Sequence, residues 1–137
     1  MSFNLRIIRT SDFIRLNGNG EYDREQTRAA LRDVATTCAL CGIDRALLDI
    51  RTAHSDMTMA DLRELAAGFR EMGFRKHHRM AILHRSRSGE RVEFFSLEPG
   101  ERAAFFAMCV SQSGWNVQAF DDFEHAMEWL GSAEPLE

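Results

Sequence analysis

Residues 3–9 alternate apolar and polar, with Phe3, Leu5 and Ile7 on one side, the two-residue period of a β-strand. Residues 13–17 continue it through Ile14 and Leu16, and the short Ser11-Asp12 link between the runs demands an antiparallel hairpin. Asn17-Gly18-Asn19-Gly20 reads as a turn. The period then lengthens. From about Asp23 onward, Ala30, Leu31, Val34, Ala35 and Cys38 recur at three-and-four spacing, which predicts a helix ended by a left-handed cap at Gly42. A third strand is expected at 46–50. A second helix opens at Thr58, where Asp61 completes a capping box and Met57 with Leu62 a hydrophobic staple. Its stripe of Leu62, Leu65, Ala66, Phe69 and Met72 runs to Gly73. The pattern predicts a fourth strand at 80–84, a third helix at 101–112 and a fifth strand at 116–120. Asp121 is expected to cap a last helix, with Glu124 at its third position, Phe123, Met127 and Leu130 facing inward and Gly131 as its stop. Residues 85–100 carry no clear period: Arg85-Ser86-Arg87-Ser88-Gly89 reads as a loop, and 92–97 suits a strand, a helical turn or a flap.

The order β-β-α-β-α-β-α-β-α defines an α/β fold, with a five-stranded, mostly parallel sheet, one antiparallel edge strand and four helices. It forms a single domain over 1–131 with a frayed tail at 132–137. Strands three and four look apolar on both faces, with Ala46 and Leu48 against Leu47 and Ile50, and Met80 and Ile82 against Ala81 and Leu83. Successive right-handed crossovers tend to put every helix on one face. The second face therefore needs cover, which helix placement on both sides, a flap at 92–97, a partner subunit or an amphipathic ligand could each supply, and the expectation is something besides the chain's own outer helices.

Composition narrows the function. In 137 residues, 45% hydrophobic and 28% charged describes a globular protein with a sizeable core. A net charge of −4 argues against general affinity for nucleic acid. No apolar run is long enough for a spanning helix, and the start of the chain lacks the layout of a secretory signal. Three cysteines, an odd number, fit a reducing compartment, and the expectation is a cytoplasmic protein.

Gly20-Glu21-Tyr22-Asp23, residues 45–51, residues 78–83, Gly114-Trp115 and residues 119–124 occur in an order that resembles the STAS domains, and more narrowly the small bacterial SpoIIAA-like group. The resemblance spans nearly the whole chain. It implies a strand-helix fold shared with lipid-carrying CRAL-TRIO domains, and it implies no reaction. Anti-sigma-factor antagonists of the wider family carry a phosphorylatable Ser at the start of helix two, in an Asp-Ser-Ser-Gly-like element. That element is absent here, although Ser55 and Thr58 lie nearby.

The third strand empties into a segment crowded with Asp49, Arg51, His54, Ser55, Asp56 and Thr58, at the strand ends where parallel sheets usually bind ligands. These residues, with His84 at the end of strand four and the aromatic pair Phe94 and Phe95, are the candidate ligand- or partner-binding set. A solvated loop in which Asp49 pairs with Arg51 or Arg79 is the plainer alternative. A catalytic triad of Ser55, His54 and Asp56 fails on geometry, because loop neighbours rarely aim at one another. His77, His78 and His84 lack a zinc spacing, and Cys38 lies on a core stripe at the end of a helix, where the dipole would not activate it. The expectation is a non-enzymatic binding or regulatory module without metal or cofactor. It would act through contacts with itself, as a dimer, or with another protein. The alternative is a carrier of a lipid or other amphiphile in an apolar pocket, and a phospho-regulated antagonist using Ser55 or Thr58 comes third.

Overall fold

The computed structural model describes residues 4–9, 13–55, 57–85 and 99–131. The Ser11-Asp12 turn, Asp56, the 92–97 segment with Phe94 and Phe95, and the tail from 132 lie outside them. β1 (Asn4–Arg9) runs antiparallel to β2 (Ile14–Tyr22). β3 (Arg45–Ser55), β4 (Arg79–Leu83) and β5 (Asn116–Phe120) follow in sequence order, each parallel to its neighbour. The crossovers are α1 (Arg24–Cys41), α2 (Met59–Ala67) and α3 (Pro99–Gln112), and α4 (Phe123–Gly131) follows β5.

Three crossovers that step the same way across a sheet with the usual right hand must stack on one face. They do. Leu31 and Val34 of α1, Leu62 and Leu65 of α2, and Phe106 and Val110 of α3 share one core with Leu16, Leu48, Met80 and Ile82 of the sheet. β5 is an edge strand, so α4 has no further strand to reach and folds back across the opposite face. There Ala126 and Leu130 close over Leu47, Ala81 and Leu83, none of them more than 1% exposed. Of the covers weighed for that face, helix placement on both sides is the one found: α4 supplies it, which corrects the expectation of cover beyond the chain's own helices. The handedness rule constrains only helices that join two parallel strands, and α4 joins none. Ile50, assigned above to the face of Leu47, packs instead with the α1–α3 core.

Two arginines clamp α4. Arg79, itself buried, donates from Nη1 to the Trp129 carbonyl at 2.7 Å and lies 5.1 Å over the Trp129 ring. Arg45 donates to the Leu130 carbonyl. Both satisfy acceptors that a last helical turn leaves without partners. At the other end the Asp122 carboxylate accepts the Glu124 N–H at 2.9 Å, so Asp122 is the cap and not Asp121.

Other boundaries also move. Asn17-Gly18-Asn19-Gly20 is not a turn: β2 runs through it, held by β1 on one side and β3 on the other, and two ladders of main-chain hydrogen bonds outweigh local turn preference. β3 likewise continues past Ile50 to Ser55, so the crowded segment is mostly strand and not loop. α2 is shorter than its stripe suggested, capped at Gly68, and Phe69 and Met72 reach the core from the turns beyond. The Thr58 capping box and the left-handed Gly42 cap stand where the sequence puts them.

Candidate functional site

A cavity of about 340 Å³ lies between the α1–α3 layer and the sheet. Its body is hydrocarbon. Leu16, Leu48 and Ile82 form the sheet side, Leu31 and Leu65 stand opposite, and Phe106 contributes from α3. Small residues on the facing helices, Ala30 of α1 and Ala103 of α3, leave the space. Its polar lining gathers at the carboxyl ends of the parallel strands. Tyr22 ends β2, His54 and Ser55 end β3, Arg85 follows β4, and Arg102 lies in the first turn of α3. His54 is exposed, so this end reaches solvent. Sites of open α/β sheets usually form at these strand ends. The volume falls at the lower end of the roughly 300–1,000 Å³ of small-molecule sites.

Backbone contacts fix the polar groups. Arg102 donates from Nε to the Met57 carbonyl at 3.0 Å, and Arg85 donates from Nη1 to the Arg51 carbonyl at 3.3 Å. The Ser55 hydroxyl accepts the Met57 N–H at 3.1 Å. Burial pushes the Tyr22 phenol above its usual value, against the opposing pull of Arg102, the Ser55 hydrogen bond and Arg85. The phenol stays neutral at physiological pH and offers a hydrogen bond, not a charge.

A second cluster sits on the opposite face of the sheet. Arg15 donates to Asp49 Oδ2 at 2.7 Å, and Arg51 grips the same carboxylate through Nε at 3.0 Å and Nη2 at 2.8 Å. Burial pushes the Asp49 carboxyl up, but these hydrogen bonds outweigh it and hold the group below its ordinary value. Asp49 also accepts the main-chain N–H of Arg51, two residues on, at 3.2 Å. That local turn sits where β3 carries one residue more than β2: Asn17 pairs with Asp49, but Asn19 pairs with Thr52. The bulge re-aims the end of β3, and Ala53, His54 and Ser55 all line the cavity.

The sequence-derived set therefore divides. His54 and Ser55 belong to the cavity. Asp49 and Arg51 form the ion cluster on the other face and shape β3 from there. Thr58 is the α2 cap, its hydroxyl accepting the Asp61 N–H at 3.1 Å. His84 stands at the end of β4 with Nδ1 2.8 Å from the Arg85 carbonyl. Asp56, Phe94 and Phe95 fall outside the described residues. Sequence reasoning missed Tyr22, Arg85 and Arg102; the signal available was position, since Tyr22 ends β2, Arg85 lies two residues past β4 and Arg102 is the fourth residue of α3, all near the edge where sites form. His78 accepts the Arg75 N–H at Nδ1, 3.2 Å away, and stacks edge-on to Phe74, contacts of a structural histidine. Among the described residues no group of His, Cys, Asp and Glu side chains is arranged to hold a metal ion, and no helix is long and apolar enough to cross a membrane.

No family model matches the sequence, and no curated protein matches it significantly. Solved structures do resemble it. A DUF3478-family protein with a SpoIIAA-like fold from Shewanella loihica PV-4 is similar at 18% identity and a TM-score of 0.51, covering 93% of each chain. An anti-sigma factor antagonist from Mycobacterium paratuberculosis is similar at 12% identity and a TM-score of 0.58, covering 94% of each. The anti-sigma factor antagonist SpoIIAA in its unphosphorylated form is similar at 14% identity and a TM-score of 0.50, covering 96% of this chain and 100% of that one. The protein has a SpoIIAA-like fold.

Proposed function

We propose that the protein is a binding module that holds a small amphiphile in the cavity between α1, α2, α3 and the sheet. One observation carries this reading: a 340 Å³ space walled by leucine, isoleucine and phenylalanine ends in tyrosine, serine, histidine and arginine side chains. A greasy body with one polar end matches a molecule of the same build. The lining favours holding over transforming. Its described hydroxyls are those of Tyr22, Thr27 and Ser55, and its imidazole, His54, is exposed at the open end with no carboxylate beside it among the described lining residues. Ala30→Leu with Ala103→Leu tests the reading by filling the space from two helices. Wild-type protein titrated with single-chain alkyl amphiphiles of graded length is expected to bind one molecule and to melt later. A ligand at a hundred times its Kd adds about 2.7 kcal/mol. The filled variant is expected to fold and to lose this response. Absence of binding across the series, or equal binding by the filled variant, overturns the proposal.

A second reading rests on the likeness to two anti-sigma factor antagonists. The module would pass its state to another protein, or to a second copy of itself, through the surface around the start of α2. Thr58 gives this reading no phosphorylation switch. Its hydroxyl already completes the cap of α2, and the Asp61 carboxylate, within hydrogen-bond reach of the Thr58 N–H, would repel an added phosphate.

A further inference from the structure

The inward side chains of β3 change parity partway along the strand. Ala46, Leu48 and Ile50 belong to the α1–α3 core, and Leu48 and Ile50 line the cavity, so the even positions face inward that far. Beyond them the odd positions do. Ala53 is buried and lines the cavity, and Ser55 lines it with Tyr22, its partner on β2. Between the two stretches, Arg51 and Thr52 are adjacent and both exposed. The bulge causes the change, because Ile50 and Arg51 together stand against Gly18. A ladder without it would keep the even alternation, pairing Thr52 with Gly20 and His54 with Tyr22. A hydroxyl and an imidazole would then occupy the places of Ala53 and Ser55.

The register is pinned by side chains. β4 ends at Leu83, opposite Asp49, so past that point β3 is paired on one side alone among the described residues. Arg85 stands in for the missing strand, its Nη1 donating toward the Arg51 and Ala53 carbonyls at 3.3 and 3.5 Å. A bulged residue loses its place in the ladder. Asp49 compensates by accepting the Arg51 N–H, and its carboxylate is fixed in turn by the Arg15 and Arg51 guanidinium groups. The Thr52 hydroxyl adds a contact to the Gly18 carbonyl at 3.2 Å.

Resting on the cavity reading above, we infer that Asp49 is a positioning residue for the ligand: from the opposite face of the sheet it holds the bulge, and the bulge presents Ala53 and Ser55 to the cavity in place of Thr52 and His54. Nuclear Overhauser contacts between β2 and β3 read the register. Calorimetric titration with decanol and decanoate, one neutral head and one charged, reads the cavity. The wild-type protein is expected to show Gly20–Ala53 and Tyr22–Ser55 contacts. In Asp49→Ala these are expected to give way to Gly20–Thr52 and Tyr22–His54, and affinity for the probe that binds the wild type to fall at least about tenfold, about 1.4 kcal/mol. Deletion of Thr52 is the rescue. It removes the extra residue, so a regular ladder pairs Gly20 with Ala53 and Tyr22 with Ser55 and leaves no bulge to hold. Combined with Asp49→Ala, the deletion is expected to restore both contacts and affinity, which it would not do if Asp49 served stability alone.

A folded Asp49→Ala with wild-type contacts and affinity overturns the inference, as does one in which contacts and affinity do not change together. A double variant that fails to fold or to restore the wild-type contacts overturns it too. If Asp49→Ala alone does not fold, a double variant that folds and binds like the wild type supports it. If neither probe binds the wild-type protein, the amphiphile reading falls and the register contacts alone decide the role of Asp49.

Discussion

Replacing Leu130 with alanine probes whether α4 is what seals the second face of the sheet. Leu130 is 1% exposed and packs with Leu47, Ala81, Leu83 and Ala126, each fully buried. The substitution removes three carbons, worth about 0.8 kcal/mol apiece in lost burial, or about 2.4 kcal/mol. A residual void adds to this, and Leu→Ala changes in packed cores cost about 2.7–5 kcal/mol altogether. Leu130 lies on the last turn of a nine-residue helix, where the surroundings can partly collapse, so the lower part of that range applies, about 3 kcal/mol. Urea unfolding followed by the fluorescence of Trp115 and Trp129 measures it. With a slope of about 1–3 kcal/mol/M, the midpoint is expected to fall by about 1–3 M. Phe123→Ala on the same helix is the control. Its ring is 37% exposed beneath the Arg15 guanidinium, and its loss is expected to cost less than about 1 kcal/mol. If Leu130→Ala costs no more than Phe123→Ala at an unchanged slope, α4 does not seal that face and the account of the second core is wrong.

Asp49→Asn is expected to destabilise by about 1–3 kcal/mol in denaturant at pH 7, below the cost of breaking a fully buried pair because Arg51 is 43% exposed. The folded-state carboxyl sits below its ordinary value of 3.8, so its contribution is complete above that value and lost as pH falls through the lower, folded one. The Asn variant should lack this acid-dependent component; a parallel acid profile would contradict the assignment. Burial, with smaller contributions from Asp44 and Cys41, pushes the Cys38 thiol up to about 11, so iodoacetamide at pH 8 should modify the partly exposed Cys41 well before Cys38, as read by peptide mass mapping. For His78, burial and the neighbouring His77 hold the imidazole below its usual 6.5. Its stabilising effect is therefore full above that value and declines as pH falls below it, and an NMR titration midpoint above 6.5 would refute this. Thr58→Ala should cost about 1 kcal/mol through loss of the α2 cap, measured by the same urea unfolding.

Periodicity made much of the architecture legible. The three-and-four spacing of α1, the Gly42 stop and the Thr58–Asp61 box are local features, and the fold left them where local energetics put them. The failures share a cause, since each depended on neighbours that are not adjacent in sequence. Asn17-Gly18-Asn19-Gly20 has turn composition, yet strands on both sides hold it extended. Leu47, Ala81 and Leu83 looked uncovered because α4, which shields them, arrives from the far end of the chain. The site was half visible. His54 and Ser55 stood out as polar residues at a strand end, and so did Asp49, but the pleat turns Asp49 to the opposite face. Tyr22, Arg85 and Arg102 converge only once two crossovers, through α1 and α2, bring the ends of β2 and β4 near the start of α3.

Methyl NMR of the protein titrated with decanoate tests the central claim most directly, because leucine and isoleucine methyls lie on both faces of the sheet. The account predicts shifts at Leu16, Leu48, Leu65 and Ile82, which wall the cavity, and silence at Leu47, Leu83 and Leu130 beneath α4. Shifts centred on the α4 face, or none at saturating ligand, would contradict it.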